Sequence, residues 1–171
     1  MSVLQSFNNS IDYWISELQS YDDGRLSGKP SPDSWSIGQL YYHLITDSKY
    51  YITQIGICID TNLHSEQEPS AEAKEIFQNN KLSDIATKGV SDHSFMPQVD
   101  DVDYLRNELY KIKLQMNTLF LIMSKSPFHG KTKHPGLGYF SAREWFQFAD
   151  IHFCHHVKQK ERIDNFYDYS V

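Results

Sequence analysis

Long hydrophobic runs are missing from this chain. No apolar stretch approaches the roughly 20 residues that a membrane-spanning helix needs, and the first residues do not read as a signal peptide. A basic surplus is missing too. Lys and Arg number 16 against 22 Asp and Glu, giving a net charge of −6, and no Lys/Arg cluster stands out. Binding to nucleic acid through a basic face is therefore not expected, nor is attachment to a membrane. Cysteine is scarce. Cys58 and Cys154 form no C-x-x-C motif, so a disulfide framework is excluded and each thiol reads as a small packing residue. These absences together point to a soluble protein of a reducing compartment, with the cytoplasm as the expected location.

Aromatic side chains, by contrast, are abundant. Eleven Tyr, ten Phe and three Trp make up 14% of 171 residues, and hydrophobic residues reach 40%. That is too apolar for a disordered chain and enough for one substantial core. The length fits a single domain over residues 1–171.

Helical periodicity recurs along the chain. Val3, Leu4, Phe7, Ile11, Trp14, Ile15 and Leu18 mark a first helix over 3–18. Residues 21–34 are rich in breakers and read as a loop. Ser36 and Gln39 form a capping box that starts a second helix, expected to run to about residue 60. The connection over 61–99 is long, with a short helix capped by Ser70 and irregular chain after Phe77. A third helix spans 101–124, its apolar face drawn from Val102, Leu105, Leu109, Ile112, Met116, Leu119, Phe120 and Met123. Glycines and prolines in 125–140 rule out regular structure over most of that segment. The last helix covers 141–163, opened by a Ser141/Glu144 capping box. Four long helices without a clear strand predict an all-α fold, a four-helix bundle with a long connection between helices two and three.

The last helix carries the chemistry. Trp145, Phe148, Ala149, His152, Phe153, His156 and Ile163 fall on one stripe at about 100° per residue. His152 and His156, four residues apart, project from the same face one turn apart. Two such imidazoles can close on one metal ion, the geometry of H-E-x-x-H helices. They also fit two hydrogen-bonded core histidines. His155 points off the stripe. His43 lies on the edge of the second helix's apolar face beside Asp47, Tyr50 and Gln54, where it faces either a cleft or solvent. His64 and His93 sit in the long connection and are weak ligand candidates.

Two segments in order resemble the DinB-like family of four-helix metalloproteins, which includes the YfiT-type proteins. The first is PSPDSWSIGQLYYHL, residues 30–44. The second is HPGLGYFSAREWFQFADIHFCHHVKQ, residues 134–159, with its His-Pro-x-x-Gly turn and H-x-x-H-H…Q cluster. The resemblance implies one histidine from helix two and two from the last helix on a divalent transition metal. Carried over by position these are His43, His152 and His156. It implies a metal-dependent enzyme on a small-molecule substrate, either a transferase using a low-molecular-weight thiol or a hydrolase.

Three neutral imidazoles leave a coordination position open, as in catalytic rather than structural zinc sites. Such a centre can polarise a water or a thiol. Imidazole suits zinc, nickel and iron alike. No general base is evident, and no catalytic residue is assigned. Asp47, Asp150, Tyr50, His134 and Gln159 are candidates to hydrogen-bond the ligands, with Gln159, close to one turn past His156, preferred and Asp150, off the stripe, disfavoured. The competing readings are a non-catalytic metal- or ligand-binding bundle, and a bundle whose three histidines bind no metal. A homodimer is expected on the general frequency of symmetric pairs.

Overall fold

A computed structural model describes residues 2–82 and 96–168. Four long helices dominate: α1 (Val3–Glu17), α3 (Ile37–Cys58), α5 (Val102–Met123) and α6 (Ala142–Asp168). A 3₁₀ turn at Leu18–Ser20 follows α1, and α2 (Asp23–Ser27) and α4 (Ala71–Asn79) are short. The segment 21–34, expected as loop, thus holds one helical turn. It forms because the Asp22 side chain accepts from the Arg25 amide and Leu26 is buried. The short helix after Ser70 is present and ends at Asn80, which takes left-handed geometry with φ of 50°. His93 and most of the chain expected to be irregular after Phe77 lie outside the described residues.

Helix starts follow the sequence closely. The Ser36 hydroxyl accepts from the Gln39 amide at 3.1 Å, and the Gln39 side chain accepts from the Ser36 amide at 3.2 Å. Ser141 and Glu144 do the same for α6 at 3.3 and 2.8 Å. Each pair satisfies amides that the first turn leaves without partners. Helix α6 runs five residues past the expected Ile163. Its last turns are held by tertiary contacts that periodicity does not register. Tyr21 donates to Asp164 at 2.9 Å, and buried Lys160 binds both Asp164 and Glu17 of α1.

Strands correct the all-α expectation. β1 (Lys131–His134) and β2 (Gly138–Ser141) form an antiparallel hairpin, in which His134 pairs with Gly138 and Lys131 with Ser141. The Pro-Gly-Leu sequence that looked like a breaker is its turn. Gly138 holds φ of 85°, and a Cβ there would stand 2.7 Å from the Ser70 amide nitrogen, so the position requires glycine. The hairpin is anchored on α6, since Trp145 Nε1 donates to Thr132 Oγ1 at 2.7 Å and Phe140 is fully buried.

The core lies where α3 and α6 face each other, with α1 packed against α6, α5 against α3, and α1 and α5 against each other. Phe7, Trp14, Tyr41, Phe146 and Phe153 fill it. Two buried polar atoms in it are satisfied by backbone carbonyls: Trp14 Nε1 donates to the Phe153 carbonyl at 3.2 Å and the Tyr41 hydroxyl to the Trp14 carbonyl at 2.8 Å. Cys58 is buried there, as expected of a packing thiol. Cys154 is not, and sits at the surface 3.4 Å from Ser10 Oγ. No described helix is long and apolar enough to cross a membrane.

Candidate metal centre

Helix α3 presents His43 in its second turn, and α6 presents His152 and His156 one turn apart on the facing side. Packing of the two helices brings the three imidazoles together in the interior, all of them buried. His43 Nε2 is 3.2 Å from His152 Nε2 and 3.1 Å from His156 Nε2, and the last two atoms are 3.1 Å apart. Three ring nitrogens thus mark out a nearly equilateral triangle.

Hydrogen bonding alone does not account for that triangle. Each Nε2 is either a donor or an acceptor. Among three atoms of two kinds, at least one pair is alike, so at least one contact sets proton against proton or lone pair against lone pair. A cation that accepts all three lone pairs removes the conflict. The edges also match the group. Metal–nitrogen bonds of 2.0–2.1 Å at tetrahedral angles place donor nitrogens about 3.3 Å apart.

The electrostatics agree with neutral donors. Burial, and then the neighbouring imidazoles of His156 and His43, hold His152 well below the usual histidine range. His156 Nδ1 lies 2.8 Å from Gln159 Oε1. An Nδ1–H donating to that oxygen leaves Nε2 as a lone pair directed into the triangle.

Asp47 stands at the rim. Its Oδ2 is 3.5 Å from His152 Nε2 and 3.7 Å from His43 Nε2, and Tyr51 donates to it at 3.4 Å. Burial pushes its carboxyl up to about 6, with the Tyr51 bond acting in the opposite direction. Two aromatic rings wall the imidazoles: Trp35 at 5.0 Å between centroids from His43, and Tyr51 at 5.8 Å from His152.

Of the candidates to support the ligands, the structure brings Gln159 and Asp47 to the triangle and leaves three elsewhere. Asp150 faces α1 and accepts from Ser10 Oγ at 2.6 Å. Tyr50 packs edge-on against Trp145. His134 is enclosed by Phe140, Trp145 and Phe148, where burial lowers it to about 4. His155 touches His156 ring to ring but is outside the triangle, and His64 packs on Tyr139. Sequence reasoning missed Trp35 and Tyr51 as walls. Tyr51 had a signal, being four residues past Asp47 on one helix face. Trp35 precedes the helix, where no periodicity applies.

No protein-family model matches this chain, and no solved structure matches it. It is similar to a Bacillus subtilis (strain 168) protein described as "Uncharacterized protein YuaE", with 24% identity over 162 residues, covering 92% of this chain and 94% of that protein.

Proposed function

We propose that this chain is a divalent-metal protein of the DinB-like kind, a metal-dependent enzyme acting on a small molecule. His43, His152 and His156 are its ligands. The observation that carries this reading is the triangle of Nε2 atoms, whose contacts cannot all be hydrogen bonds. A divalent ion on three neutral imidazoles supplies Lewis acidity and an open coordination position. The protein's own part is to keep the imidazoles neutral by burial, to fix the His156 tautomer through Gln159, and to place one carboxylate at the rim. Transfer to or from a low-molecular-weight thiol and hydrolysis are the two reaction types this arrangement suits best.

Elemental analysis of tag-free protein after incubation with zinc, nickel or iron(II) tests the ligand set. About one equivalent of metal is expected in the wild type, and its loss in His152→Ala. A wild type that stays metal-free in all three defeats the proposal. Metal-dependent turnover in a thiol and ester screen, lost in a folded His156→Ala variant, tests the enzyme. The depth of the imidazoles favours one second reading, a metal held for stability or ligand sensing without turnover. A sulfur-to-metal charge-transfer band on adding small thiols to the cobalt or nickel protein argues for the enzyme, and its absence for the second reading.

A further inference from the structure

We propose that Asp47 determines which ligands the metal accepts, favouring uncharged ones with a proton to share over anions. The inference rests on the three-histidine reading above. Asp47 follows His43 by one helical turn, so its carboxylate projects from the same side of α3. Its Oδ2 is 3.7 and 3.5 Å from two of the three donor atoms, beside the point on which their lone pairs converge. The imidazole side chains of His43 and His152 are 8% and 9% accessible, whereas that of Asp47 is 35%. The carboxylate is therefore the polar group between the triangle and solvent on that edge.

Among the described residues no lysine or arginine pairs with Asp47, and its remaining partner is the Tyr51 hydroxyl, a neutral donor. Three neutral imidazoles leave the full charge of a divalent ion uncompensated, and Asp47 cancels part of it at short range. A ligand entering beside this carboxylate meets it as an acceptor. An O–H, N–H or S–H finds a hydrogen-bond partner there, while an aprotic anion meets a like charge. At an effective dielectric constant of about 20 and about 5 Å separation, that repulsion is worth roughly a few hundredfold in affinity before screening by solvent.

Asp47→Asn removes the charge at nearly constant size. Wild type and variant are loaded with cobalt(II), and azide and imidazole are titrated at about pH 8, where carboxylates are ionised, following the cobalt d–d absorption. Imidazole, whose N–H lies across the ring from its coordinating nitrogen and away from the metal, is the uncharged control for access. The variant is expected to bind azide at least about tenfold more tightly, with imidazole affinity constant within about twofold. Equal azide affinities in the two proteins overturn the proposal. Parallel changes for azide and imidazole also overturn it, because they assign Asp47 a steric role. Failure of the variant alone to take up cobalt overturns it by making Asp47 a ligand. Failure of the wild type to take up cobalt removes the three-histidine centre itself, and the proposal with it.

Discussion

At the scale of single residues, two histidines serve opposite ends. His156 is held ready to donate a lone pair because Gln159 Oε1 accepts the hydrogen bond of its Nδ1–H. Replacing Gln159 by Leu removes that acceptor and loosens the tautomer. Metal affinity is expected to fall roughly tenfold to a hundredfold without loss of helix content, as read by chelator competition and circular dichroism. His134 is instead kept neutral by the surrounding aromatic rings. Its folded value of about 4 lies below the ordinary 6.5, so the unfolded chain takes up the proton first. Its stabilising contribution is complete above about pH 6.5 and is lost progressively as the pH falls toward 4. In chelator-treated protein, the wild type is expected to lose more stability than His134→Gln over that window, as measured by denaturant midpoints at matched pH. Parallel curves would show that the ring is solvated when folded.

Helix α3 shows how one element serves both packing and site. Its first turn is covered by the 96–99 segment: Gln39 Nε2 donates to the Met96 carbonyl at 2.6 Å, and Ser36 Oγ to Gln98 Oε1 at 2.7 Å. Gly38 permits this. A Cβ there would come within 1.8 Å of the Val99 carbonyl oxygen and 2.8 Å of Gln98 Nε2. Helix propensity alone favours Ala over Gly by about 1 kcal/mol, yet the clash is with backbone. Gly38→Ala is therefore expected to destabilise by about 1–3 kcal/mol, measured as a shift in urea midpoint. A stabilised variant would mean that 96–99 does not dock there. Elements of this kind were legible where local rules govern them. Both capping boxes and the core faces of α1 and α5 could be read from spacing. The hairpin could not, because its pairing depends on Gly138 meeting residues 68–70 and on Trp145 reaching Thr132.

Across the whole molecule, the candidate centre was half legible. The i, i+4 pair on α6 follows from helical geometry. His43 was assigned by resemblance, because its burial comes from contacts made only on folding, with Trp35 on one side and α6 on the other. Asp150 shows the reverse. It lies off the stripe as read, yet it is buried, because α1 covers that side of α6 and supplies Ser10. Periodicity identifies the face a helix turns to its main partner, and a helix wrapped on several sides escapes it. The ligand set also joins distant parts of the chain, with His43 and His152 separated by 109 positions. Between them lies the turn at His64, whose φ of 58° puts an exposed residue in left-handed geometry. A protease that nicks this turn would yield two pieces, one bearing His43 and the other bearing His152 and His156. A metal held by the three histidines would then bridge the fragments, and a chelator is expected to weaken their association, leaving the packing of α6 on α1 and α3 to hold them.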